Sequence, residues 1–101
     1  MEKVLGKLLA KLEIMVFEAS EARIKGDKII VKISGVPDRD VLMNVKTESW
    51  KVDVKNENGV MMIMVEGEPE AIERDLDDIV MVITAAILLT IPRLFAQACD
   101  G

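Results

Sequence analysis

Histidine and tyrosine are absent from this chain, and its aromatic residues are only Phe17, Trp50 and Phe95. Without histidine there is no Ser-His or Cys-His nucleophile pair, no imidazole base and no imidazole metal ligand. The single cysteine, Cys99, forms no intrachain disulfide framework and fits a reducing, cytoplasmic setting. It lies near the end of the sequence, where backbone usually frays, whereas a reactive thiol needs a held, electropositive environment. Tetrahedral zinc lacks its usual ligands. The six glycines are scattered, so no phosphate-cradling loop is present. Glu2, Lys3 and Lys7 interrupt the first apolar residues, against a secretory signal. These absences point away from an enzyme, and no catalytic residue, cofactor or metal is expected.

What is there is aliphatic. Half of the 101 residues are hydrophobic but only 3% are aromatic, so the core is built from Val, Ile, Leu and seven Met. One domain over residues 1–101 is expected, burying roughly 60–70% of the surface of its unfolded chain. Abundant Lys, Glu, Val and Ile beside a lone glutamine, Gln97, lean toward a thermophilic source. Charge is uneven. Residues 1–60 hold eleven Lys or Arg against ten acids, net +1, and residues 61–101 hold two against eight, net −6. A basic footprint for nucleic acid is missing, so direct nucleic-acid binding is not expected. A phosphate contact would have to use the first 55 residues, where nine Lys alternate with acids.

The hydrophobic period changes along the chain. Val4, Leu5, Leu8, Leu9, Leu12, Met15, Val16 and Ala19 recur at helical spacing, predicting a helix over about 2–20. Gly26-Asp27 is a turn signal, and Ile29, Val31 and Ile33 alternate with polar residues as a strand. Residues 38–46 fit either a helical turn, through Val41, Leu42 and Val45, or a strand, through Val41, Met43 and Val45. Trp50, Val52 and Val54 alternate with Lys51, Asp53 and Lys55, and Asn56-Glu57-Asn58-Gly59 reads as a hairpin turn. Val60–Val65 is apolar on both faces, the pattern of a central strand covered on both sides. Pro69 suits a first helical position, and Ile72, Leu76, Ile79, Ile83, Ile87 and Ile91 form an inward stripe up to Pro92.

Three features remain as functional candidates. Ile79 to Pro92 is fourteen residues without a charge. It is too short for a bilayer, which needs about 20 apolar residues. It is also too apolar for a surface helix with one wet face. A second copy of the chain is the expected cover, through Ile79, Val80, Val82, Ile83, Ala86, Ile87, Leu88 and Ile91, giving a homodimer. The preceding acids repel anionic lipid, so no membrane partner is expected. The second feature is the acidic cluster from Glu66 to Asp78, in which Glu70, Glu73 and Asp77 share one helical face. They can complement the helix dipole, dock a basic protein partner or hold a divalent cation. The third is methionine: Met61, Met62 and Met64 can fill the core or form an adaptable surface. Trp50 can pack under a helix or anchor an interface.

The order from Lys28 to Ile91 is strand, short irregular or helical piece, two-stranded hairpin and long helix ending in aliphatics. With Trp50-Lys51-Val52-Asp53-Val54, Val60–Val65 and the helical run Glu70–Ile79, it resembles the small dimerising subunit of the archaeal and eukaryotic KEOPS complex, which makes threonylcarbamoyladenosine on tRNA. That resemblance implies a non-catalytic subunit that pairs through its helices and docks a catalytic partner. The residues themselves predict an α+β domain. In it, an antiparallel sheet of three to four strands packs against an N-terminal helix and a long C-terminal helix. The function expected is an assembly or adaptor subunit. A small acidic chaperone or regulator of an apolar client segment, a peripheral membrane protein and a carboxylate-metal enzyme on Glu70, Glu73 and Asp77 are the alternatives.

Overall fold

Residues 1–14 and 19–90 are described by the structure, a computed structural model. The alternating segments become strands and the 3.6-period segments become helices, in the order α1 (Glu2–Ile14), β1 (Glu21–Lys25), β2 (Lys28–Ser34), β3 (Val41–Lys46), β4 (Trp50–Glu57), β5 (Val60–Gly67), α2 (Pro69–Arg74) and α3 (Leu76–Leu89). The strands form one antiparallel sheet in the order β1-β2-β5-β4-β3.

The sheet has five strands, not three to four. Strand β1 was not legible because Glu21-Ala22-Arg23-Ile24-Lys25 carries only two apolar residues. The ambiguous residues 38–46 resolve in favour of the strand, β3. The first helix is described over Glu2–Ile14, and residues 15–18 of the expected helix lie outside the described residues. Ser20 donates its N–H to the Lys32 carbonyl, so the helix does not extend to residue 20. The expected long C-terminal helix is broken: α2 ends at Arg74, Asp75 sits at φ −103° and ψ 23°, and α3 runs 14 residues.

The turns follow local chemistry. Asn58 (φ 55°) and Gly59 (φ 76°) are the two central residues between β4 and β5, the left-handed pair that a type I′ turn requires. Thr47 closes the β3–β4 turn: its hydroxyl accepts from the N–H groups of Ser49 (3.2 Å) and Trp50 (3.0 Å). Residues 35–40 carry the chain from β2 past β5 and β4 to β3. Buried Asn56 tethers this link, donating to the carbonyls of Pro37 and Arg39, both at 2.8 Å.

One face of the sheet is closed. Ile29, Val31 and Ile33 of β2, Met61, Ile63 and Val65 of β5, and Trp50, Val52 and Val54 of β4 point into a single cluster. Val4, Leu8 and Leu12 of α1, Ile72 of α2, and Leu76, Ile79, Ile83, Ala86 and Ile87 of α3 complete it. α3 lies against β3 and β4, and α1 lies alongside α2 and α3. Burying each of the large aliphatic side chains contributes about 1.5–3 kcal/mol. The expectation that β5 is central holds, but its second face has no helix over it among the described residues. Met62 is exposed and Met64 half-buried on that side.

Candidate functional site

The alternation that sends one set of residues inward leaves the other set on the open face. Strand register arranges them in rows. Lys25, Lys28, Glu66, Lys51 and Lys46 form one row across the sheet. Arg23, Ile30, Met64, Asp53 and Asn44 form the next, and Glu21, Lys32, Met62, Lys55 and Leu42 the third. Ile30, Met62 and Met64 therefore stand together near the middle, and Leu42 lies 71% exposed at the β3 edge. Around them are seven cations (Arg23, Lys25, Lys28, Lys32, Lys46, Lys51, Lys55) and five carboxylates (Glu21, Asp40, Asp53, Glu57, Glu66), a net of +2. Lys28–Glu66 (3.9 Å), Lys32–Glu21 (3.5 Å), Lys51–Asp53 (3.5 Å) and Lys55–Glu57 (3.1 Å) pair on this face. Arg23, Lys25 and Lys46 have no ion-pair partner among the described residues. No aromatic ring of the described residues lies on this face, so it offers no stacking platform for bases. Composition hid it, because the whole chain is acidic; only the register separates this basic face from the segment Glu68–Asp78, where six acids oppose Arg74.

The expected apolar interface divides. Ile79, Ile83, Ala86 and Ile87 belong to the chain's own core, while Val80, Val82 and Leu88 are half-buried. Ile91 lies outside the described residues. The outward stripe of α3 is Met81 (67% exposed), Ala85 and Leu89 (49% exposed), spaced four residues apart. The run is apolar all round, but one side of it is covered from within the chain.

The acids Glu70, Glu73 and Asp77 do not converge. Glu73 pairs with Lys7 and Asp77 with Lys11 (2.6 Å), clamping α1 to α2 and α3. The hydrogen bond and charge of Lys7 hold the Glu73 carboxyl below its ordinary range. Glu70 instead lines an open groove of about 950 Å³ with Lys46, Ser49, Lys51, Glu66 and Arg74. No group of three or more His, Cys, Asp or Glu side chains is placed to hold a metal ion among the described residues.

Trp50 takes the packed of its two expected places. It is 6% exposed under the helices, and its indole Nε1 donates to Asp75 Oδ2 at 2.9 Å, at the break between α2 and α3. Hydrogen bonds from Arg74 and then from Trp50 hold the Asp75 carboxyl below its ordinary range. Gly67 makes this corner possible: at φ 154° it has no side chain, and a Cβ there would meet the Ser49 carbonyl oxygen at 2.8 Å. Met61 is core, whereas Met62 and Met64 belong to the surface. No described helix is long and apolar enough to cross a membrane. No protein-family model, curated protein or solved structure matches the chain.

Proposed function

We propose that the chain is a non-catalytic assembly subunit that associates with itself and docks a protein partner on the open face of its sheet. The observation that supports this is the cluster of Ile30, Met62 and Met64 inside a rim of net charge +2. Apolar side chains at the centre of a polar rim are the anatomy of a docking patch. The rim selects a partner that presents acids around an apolar centre. Methionine suits it, since its flexible thioether adapts to the partner's shape. This moves docking away from Glu70, Glu73 and Asp77, two of which are engaged by lysines of α1.

A tRNA-modification assembly of the KEOPS kind is the setting that the sequence resemblance proposes. The chaperone reading uses the same patch with an unfolded apolar segment as occupant. A carboxylate-metal enzyme draws no support from Glu70, Glu73 and Asp77: the last two are paired with lysines of α1 and do not converge with Glu70.

The test is affinity capture from host lysate with wild type, Met62→Glu and the pair Glu70→Lys, Glu73→Lys. Proteins held by wild type and by the acidic-helix variant, but lost from Met62→Glu, place docking on the sheet. Identical recovery by all three overturns it. Binding of a reduced, unfolded client in place of a folded partner transfers the patch to the chaperone reading.

A further inference from the structure

The free edge of the sheet is unusual for its chemistry. Edge strands are normally protected by charge, proline or a bulge, because their unpaired N–H and C=O groups invite another strand. β1 follows that rule, with Glu21, Arg23 and Lys25 in five residues. β3 carries a charge only at its last residue, Lys46: Val41-Leu42-Met43-Asn44-Val45 is uncharged, pairs with β4 on one side only and meets no strand of the described residues on the other. We infer that β3 pairs antiparallel with β3 of a second copy of this chain, joining two sheets into one of ten strands. The inference rests on the self-association proposed above and gives it a surface.

The register follows from three observations. Thr47 donates its N–H to the Trp50 carbonyl at 2.8 Å, so Thr47 and Trp50 are a hydrogen-bonded pair. Antiparallel pairs alternate. Val45, Met43 and Val41 therefore exchange bonds with β4, and the N–H and C=O groups of Leu42, Asn44 and Lys46 point to the free edge. Two-fold pairing must also keep inward residues opposite inward ones, or both apolar sets reverse faces. Centring the two-fold axis on Met43 satisfies both conditions. Met43 then faces its own copy, Val41 faces Val45, and Leu42 exchanges bonds with Asn44. At both ends Asp40 comes opposite Lys46, a cation that has no ion pair among the described residues. Shifting the centre to Asn44 would place Asp40 against Glu48, two like charges.

Packing beneath the sheet agrees. α3 lies against β3 and β4. With strands about 4.8 Å apart, a helix over the β3–β4 gap stands about 10 Å from its symmetry mate, the ordinary distance for packed helices. The two-fold axis thus brings two apolar α3 helices side by side, and the exposed stripe of Met81, Ala85 and Leu89 gains a neighbour to pack on.

The test uses the full chain carrying Cys99→Ser. Adding Met43→Cys should give a disulfide-linked dimer on mild oxidation, because non-hydrogen-bonded partners have Cα atoms about 4.5 Å apart. Adding Lys46→Cys instead should not, since those residues lie about 20 Å apart along the joined edge. Sedimentation then reads the charge pairs. Asp40→Lys alone and Lys46→Asp alone should each weaken the dimer roughly ten-fold, as two favourable pairs turn repulsive. The double exchange should restore it to within about three-fold. Lys46→Asp faces Lys51 within its own chain, so a weakened dimer will not reflect a weakened fold. A dimer that the Met43→Cys variant does not cross-link, or that the double exchange does not restore, overturns the β3 edge while leaving self-association standing. A monomer at tens of micromolar overturns both.

Discussion

The two faces of the sheet differ in what their apolar residues do. On the covered face Val31, Ile63 and Val52 are fully buried beneath three helices. On the open face, one residue along the same strands, Ile30, Met62 and Met64 stand among lysines and carboxylates. Strand β5 carries both sets, so a shift of a single position separates folding from recognition. Aliphatic β-branched side chains suit the first task because their rotamers are few and their packing is specific. The open face uses methionine, which fits more than one partner.

The sharpest way to break this comparison is to put the same charge on each face. Ile63→Asp buries an unpaired carboxylate in the centre of the core and should cost more than about 4 kcal/mol, leaving no folded protein. Met62→Asp, the preceding residue, should change stability by no more than about 0.5 kcal/mol. Thermal melts of the two variants read the contrast directly. Equal losses would mean that the open face is covered after all.

Trp50 tests the corner that joins the faces to the helices. Trp50→Ala removes a buried indole and should cost about 3–5 kcal/mol. Trp50→Phe keeps most of the packing and releases Asp75 from the indole N–H, so its loss should be clearly smaller. If the two variants melt together, the 2.9 Å bond to Asp75 is what holds the α2–α3 break, and not the ring.

A smaller loss is expected at Asn56. Its amide gathers the carbonyls of Pro37 and Arg39 at the end of β4, and those residues lead into β3. Asn56→Ala should cost about 1–3 kcal/mol, the range for losing a buried hydrogen-bonded side chain. Hydrogen exchange should show the loss first at Val41–Lys46, the edge strand, and last at β5. Uniform loosening would show that the link between β2 and β3 does not depend on this side chain.

These contrasts also mark what was legible in the chain. The alternation of Ile29, Val31 and Ile33, and of Trp50, Val52 and Val54, named the inward set from sequence alone. The turn at Asn58-Gly59 and the inward stripe from Ile72 to Ile87 were equally plain, because each is a local pattern. β1 was invisible because an edge strand with two half-buried apolar residues needs no strong hydrophobic signal. The basic face was invisible for another reason. Its cations come from four strands, β1 to β4, and only the pairing register brings them to one side. The acidic cluster misled because helical spacing placed Glu70, Glu73 and Asp77 together, whereas the break at Asp75 and the lysines of α1 separate their tasks.

The smallest expected effect separates the ion pairs of the helix layer from those of the open face. Lys7 lowers the Glu73 carboxyl from its ordinary value of 4.5, so the ionised form is favoured in the folded state. A depressed carboxylate stabilises the fold above its unfolded value, and that contribution is lost as pH falls through the folded value. Lys7→Gln should therefore melt slightly below wild type at neutral pH, and the two should converge as pH falls below the ordinary carboxylate value and through the lowered one. Both side chains are more than a third exposed, so salt should shrink the difference as well. Lys55→Gln removes an exposed pair on the open face, where Lys55 and Glu57 are both about 60% exposed. It should leave melting unchanged at every pH, because that pair joins neighbours within one strand while Lys7 and Glu73 join two helices. If Lys55→Gln shifts the melt as much as Lys7→Gln does, the open face contributes to the fold and is not reserved for a partner.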